Sequence, residues 1–260
     1  MRLPVTSMEV GLRLPDGADE LALIEADTDP LRAALCLIER LVSPGDGGST
    51  TEWRALPVTD FEVLLLRLRE RLLGPGIESD VACPACRERV TMSFTISEYL
   101  AGIRPVMPRY VAPAERTGWF QLCGPRHQGV TFRLPTVADL LAITNDVAPE
   151  AALCARSVAG KTDASGRRRV EHALSCLAPP VTGEVGGSCP ACGVELQALF
   201  DVVGFVVAEF RKVMAGLYRE VHLIAACYGW TETAILSLPG PRRRRYAALV
   251  SSDLLRQATA

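Results

Sequence analysis

The chain has 260 residues, 48% of them apolar and 22% charged, with 21 glycines and 18 prolines. That is globular composition, and it excludes a disordered, collagen-like or coiled-coil architecture. A formal net charge of -2 argues against binding a polyanion through overall charge.

Met1-Arg2-Leu3-Pro4 leads into short, polar-broken segments rather than an export signal. The expectation is a protein made in the bacterial cytoplasm or assembled there into something larger. Residues 1–55 read as a strand-containing lead-in followed by a helix. Val10, Leu12 and Leu14 alternate, Pro15-Asp16-Gly17 marks a turn, and Leu31, Leu35, Ile38 and Leu41 form a helical stripe. Residues 56–80 predict an amphipathic helix with Thr59-Asp60-Phe61-Glu62 as its capping box and Gly74-Pro75-Gly76 as its stop.

Residues 81–100 and 189–199 each carry Cys-Pro-Ala-Cys and then a strand. Between them, residues 101–188 read as an inserted strand and helical subdomain. In it Thr136 and Asp139 cap a helix through Ile143, Pro149 opens a second that ends near Val158, and Val170 to Leu177 is a third. Residues 200–260 are helical: a long helix to Tyr228, a stop at Gly229, a turn capped by Thr231, and a last helix from Arg242. The most apolar stretch, Leu196 to Ala208, contains Asp201 and Gly204 and is too short to cross a bilayer. The expected class is α+β, mostly helical, with a discontinuous four-cysteine zinc-ribbon-like β unit and a helical C-terminal region.

Nine cysteines, an odd number with no export signal, argue against a disulfide scaffold. Cys83, Cys86, Cys189 and Cys192 form two identical turns. A pair of thiolates two residues apart can face one ion, and two such pairs complete a tetrahedral zinc site. Counted from each first cysteine, Val90 corresponds to Leu196, Phe94 to Phe200 and Ile96 to Val202, so each half reads as knuckle then strand. Gly193 suits the positive φ that follows a knuckle, whereas Arg87 in the first turn matches imperfectly. Three other readings remain open: a dithiol redox pair, two separate metal sites completed by Cys123, His127, Cys154 or Cys176, or a lost site whose cysteines are merely buried. Four thiolates on one Zn2+ leave no open position, so such an ion folds the chain rather than catalysing.

No catalytic constellation emerges. There is no H-E-x-x-H, no G-x-S-x-G and no glycine-rich turn after a strand, and the three histidines are dispersed. Arg242, Arg243, Arg244 and Arg245 open the last helix, where positive charge opposes the helix dipole. The run therefore calls for a carboxylate-bearing protein partner or a nucleic acid. Net charge and the apolar residues that follow favour the protein. Trp230, Tyr246 and Leu249 extend this candidate partner face.

The second knuckle, Glu220-Val221-His222, Tyr228-Gly229-Trp230-Thr231-Glu232 through Leu238-Pro239 to the arginine run and Tyr246, and Phe132-Arg133-Leu134-Pro135-Thr136-Val137-Ala138-Asp139 together resemble a known group. It comprises the baseplate or hub-assembly proteins of contractile phage tails and phage-tail-like contractile injection systems, related to a T-even phage baseplate protein. The likeness runs chiefly over residues 56–100 and 129–255. It implies a non-enzymatic structural or assembly component near the central spike and hub that acts through contacts with hub, spike or wedge proteins. The short apolar stretch argues against a membrane partner and the net charge disfavours nucleic acid. The alternative is a zinc-ribbon nucleic-acid-binding protein that uses Arg242 to Arg245.

Overall fold

A computed structural model describes residues 1–26, 28–45, 52–124, 129–160 and 162–258. In chain order the first elements are β1 (Val10–Leu12), α1 (Gly17–Ile24), α2 (Pro30–Leu41), β2 (Val42–Pro44) and α3 (Val58–Leu73). A hairpin of β3 (Gly76–Ala82) and β4 (Arg89–Thr95) follows, then α4 (Ile96–Leu100), β5 (Val111–Pro113), β6 (Trp119–Leu122) and β7 (Thr131–Arg133). Next come α5 (Val137–Ile143), α6 (Pro149–Ser157), β8 (Val158–Ala159), α7 (Ala164–Leu177) and a second hairpin, β9 (Gly183–Ser188) with β10 (Glu195–Phe200). The chain closes with α8 (Val202–Met214), α9 (Leu217–Tyr228), α10 (Glu232–Leu236) and α11 (Gly240–Ala258). About half of it is helical with small sheets, which is α+β.

The chain divides into two compact units, one of residues 1–10 and 44–202, the other of 11–43 and 203–260. The expected lead-in of residues 1–55 is thus shared between units. In the first unit, strands β5-β6-β7-β8 form an antiparallel sheet. Val111, Leu122, Val130 and Phe132 of this sheet region pack with Val170, Ala173 and Leu177 of α7. In the second unit, Ile224, Ile235 and Ala247 join α9, α10 and α11.

Several local expectations change. Pro15-Asp16-Gly17 opens α1 instead of turning the chain: Asp16 caps the helix and exchanges bonds with Asp19. Gly17 is required there, because a Cβ would lie 2.6 Å from Nη1 of Arg243 and 2.7 Å from the Leu236 carbonyl. The predicted capping box of Thr59 and Glu62 does not form. Pro57 bridges to Thr136, and α3 starts at Val58, before Thr59 can serve as cap. Thr59 instead donates to the Pro179 carbonyl, and Glu62 accepts the Thr182 N–H and hydroxyl. The long helix to Tyr228 is two helices meeting at Gly216, a poor interior helix residue. By contrast, Thr136 and Asp139 make the expected reciprocal cap, and Pro149 does open α6.

Candidate metal centre

Each Cys-Pro-Ala-Cys turn is the tip of a β-hairpin, so a strand precedes each knuckle as well as following it. The two hairpins have the same register at the turn, Ala82 opposite Arg89 and Ser188 opposite Glu195. Their tips are bonded alike. Cys83 N–H donates to Glu88 and Cys189 N–H to Val194, both at 2.9 Å. Arg87 N–H donates to the Cys83 carbonyl at 2.9 Å and Gly193 N–H to that of Cys189 at 2.8 Å. Arg87 also adopts the left-handed conformation of Gly193, φ 62° against 74°. The imperfect residue therefore takes the required geometry, at a backbone cost that glycine escapes.

The hairpins lie side by side within the first unit. Cys83 and Cys189 are buried with Val90 and Leu196 against Val81, while Cys86 and Cys192 face outward. At the far end Phe94, Tyr99 and Phe200 close a ring cluster with centroids 5.2–5.4 Å apart. Ile96, expected to end a strand, instead begins α4 after these rings, and Val202 begins α8 within the stretch expected to be helical.

The four Sγ atoms lie within 4.8 Å of one another. Sγ of Cys83 is 3.6 Å from that of Cys192, and Sγ of Cys86 is 3.7 Å from that of Cys189. A disulfide needs about 2.05 Å, whereas four sulfurs about 2.3 Å from a central ion stand about 3.8 Å apart. The donor set and spacing thus fit a tetrahedral metal. Backbone N–H groups reach the sulfurs: those of Cys86 and Ala85 to Cys83, Glu88 to Cys86, and Val194 to Cys192. The N–H groups of Cys86 and Ala85 hold the Cys83 thiol down at about 6. At Cys86 the Glu88 N–H pulls the same way, but desolvation and the neighbouring sulfurs push that thiol up to about 12. Such crowded sulfurs resist full ionisation unless a cation sits among them.

Among the described residues no other group of three or more metal-ligating side chains gathers. Cys123, Cys154 and Cys176 do not join one, and His127 lies outside the described residues. His172 contacts the Tyr110 hydroxyl and lies 3.9 Å from the Cys176 sulfur, and among the described residues no carboxylate bonds to it. A groove of about 440 Å³ between α3, α5 and α6 has Glu62 in its wall. Burial pushes that carboxyl up, yet Thr182 holds both oxygens and the walls are mainly apolar.

The candidate partner face divides in two. Arg243 is wholly buried: its Nε donates to Glu220 at 2.8 Å, and its Nη2 pairs with Glu20. It therefore needs no outside partner, which corrects that part of the expectation. Arg242 and Arg245 are exposed and Arg244 is half-buried. Trp230 and Leu249 are partly open, and Tyr246 packs its ring 5.2 Å from that of Trp230.

A family described as T4 bacteriophage base plate protein matches residues 2–163. The chain belongs to this baseplate family. The match includes the first knuckle and ends before the second. No curated protein and no solved structure matches. Membership supports a structural role among baseplate components.

Sequence reasoning missed a motif within the family match that the structure makes visible. Arg13-Leu14-Pro15 leads to Asp19 in the second unit, and Arg133-Leu134-Pro135 leads to Asp139 in the first. Each aspartate is buried, gripped through both oxygens by the first arginine, and met by a second arginine from the next helix, Arg40 at 2.9 Å or Arg156 at 3.0 Å. Each module runs strand, helix, helix, strand, with β1 pairing β2 and β7 pairing β8. In each, a Leu-Pro segment leads another helix and bridges to the residue after the motif proline, Pro57 with Thr136 and Pro239 with Asp16. The signal in the sequence is the repeated Arg-Leu-Pro-x-x-Ala-Asp; the divergent second helices conceal it.

Proposed function

We propose that the protein is a non-enzymatic structural or assembly component of the baseplate or hub of a contractile tail or contractile injection system. One structural Zn2+ per chain, held by Cys83, Cys86, Cys189 and Cys192, ties the two hairpins together. It works by contacts with hub, spike or wedge proteins in a particle assembled in the bacterial cytoplasm. Trp230, Arg242, Arg244, Arg245, Tyr246 and Leu249 contribute to the contact face.

Family membership supports the baseplate reading. The observation that carries the zinc reading is the gathering of four sulfurs from distant chain segments within 4.8 Å. A closed four-thiolate shell supplies folding energy and leaves no site for a substrate. The purified protein should contain about one zinc per chain. Cys83→Ser and Cys189→Ser should lose the metal together with the hairpin fold, read by metal analysis and circular dichroism. An iron-loaded or metal-free native protein would refute the zinc assignment. Cryo-electron microscopy of the particle tests the place in the baseplate, and a particle lacking the chain at every stage of assembly would refute it.

A further inference from the structure

Tyr228 ends α9, and Gly229 at φ 68° turns the chain so that Trp230 comes back beside it. Tyr246 of α11 completes a cluster with centroids 5.3, 5.9 and 5.2 Å apart. Tyr228 remains 40% exposed and Trp230 37%. Arg242 lies over the Tyr246 ring at 5.8 Å, and Arg245 projects into solvent one helical turn on. Among the described residues neither arginine pairs with a carboxylate, although Arg243 between them takes two.

The duplicated module supplies an internal comparison. Aligned on the prolines that lead them, α3 and α11 place Leu64 opposite Tyr246 and Leu66 opposite Ala248. Leu64 and Leu66 are completely buried. Tyr246 is half-exposed and Ala248 exposed, next to an exposed Leu249. The helix face that is fully covered in one unit is thus only partly covered at Tyr246 and open at Ala248 in the other, with aromatic rings and cations around it.

We infer that the Tyr228–Trp230–Tyr246 cluster, flanked by Arg242 and Arg245, is a docking site for an acidic segment of another baseplate protein. The segment has two carboxylates spaced for arginines one helical turn apart and an apolar side chain set on the rings. Exposed Trp, Tyr and Arg are the residue types that dominate binding energy at protein interfaces. Unpaired arginines select carboxylates by bidentate bonding and repel basic surfaces. The inference rests on the baseplate reading and names the chemistry of its partner.

The test places a photo-crosslinking amino acid at position 230 of the full chain, with exposed Val147 as the control position, and assembles particles in the producing cells. The expected result is one crosslink from position 230 to a carboxylate-bearing segment of a baseplate protein, and none to it from position 147. Arg242→Glu with Arg245→Glu should reduce that crosslink at least ~tenfold, and exchanging the partner's carboxylates for lysine should restore it. Chain present in particles but uncrosslinked at 230, or crosslinked regardless of charge reversal, overturns the docking site alone. Crosslinking to nucleic acid overturns it in favour of a phosphate ligand. Absence of the wild-type chain from every assembly stage overturns the baseplate reading as well.

Discussion

At Arg87 the chain places a side chain where the equivalent knuckle has Gly193, and both residues stand at positive φ. An L-residue in that region costs about 1–2 kcal/mol relative to the right-handed one. Arg87→Gly should therefore raise stability by about 1 kcal/mol with zinc content unchanged, while Gly193→Ala should lower it by a similar amount; chemical denaturation measures both. Asp139 obeys a different rule. Burial alone would raise its pKa, but Arg133, the Thr136 N–H and hydroxyl, and Arg156 together hold it well below the carboxylate range. A depressed folded value means that the stabilisation is complete above the ordinary pKa near 4 and disappears as pH falls through and below it. Asp139→Asn should cost about 3 kcal/mol at pH 7, and the difference from wild type should shrink steadily below pH 4 in denaturation curves. Asp19, with Arg13 and Arg40, should behave alike.

At the scale of elements, the four arginines that open α11 do different work although they are identical in the sequence. Arg243 joins α1, α9 and α11 through Glu20 and Glu220, so Arg243→Met would strip that cation from the buried Glu20 and the partly buried Glu220. The expected loss is about 3–5 kcal/mol, whereas Arg242→Ala and Arg245→Ala should each stay within about 0.5 kcal/mol. Thermal melts of the three variants separate the buried cation from the surface ones; equal losses would contradict this division. The run was legible as a dipole conflict, but the resolution of that conflict was not, because Glu20 lies more than two hundred positions away. The helix α3 shows the reverse case: a local capping pattern at Thr59 and Glu62 was overridden by the remote Pro179 and Thr182. Reciprocal caps survive where the bridging partner leaves the helix start undisturbed, as at Thr136 and Asp139.

At the scale of the molecule, the hairpins belong to a unit whose folding should depend on metal, while the core of Ile224, Ile235 and Ala247 in the other unit includes none of the four clustered cysteines. A chelator should therefore lower hydrogen-exchange protection in β3, β4, β9 and β10 and leave α9 and α11 protected. Uniform loss of protection across both units would contradict the separation. The duplicated module sits in both units, yet only one copy shares its unit with the cysteine hairpins.

The sequence by itself determined which four cysteines gather, the equivalence of the two knuckles, the α+β class and most helix termini, because these depend on spacing, periodicity and capping within a few residues. Only the tertiary structure decided that each knuckle crowns a full hairpin and that Arg87 accepts a glycine's conformation. It alone revealed that Arg243 is internal and that each of the two Arg-Leu-Pro modules builds its own Arg–Asp–Arg ion triad of the same design. Those outcomes depend on groups separated by tens to hundreds of residues, whose burial removes water as the competing partner and so lets remote contacts outweigh local preference.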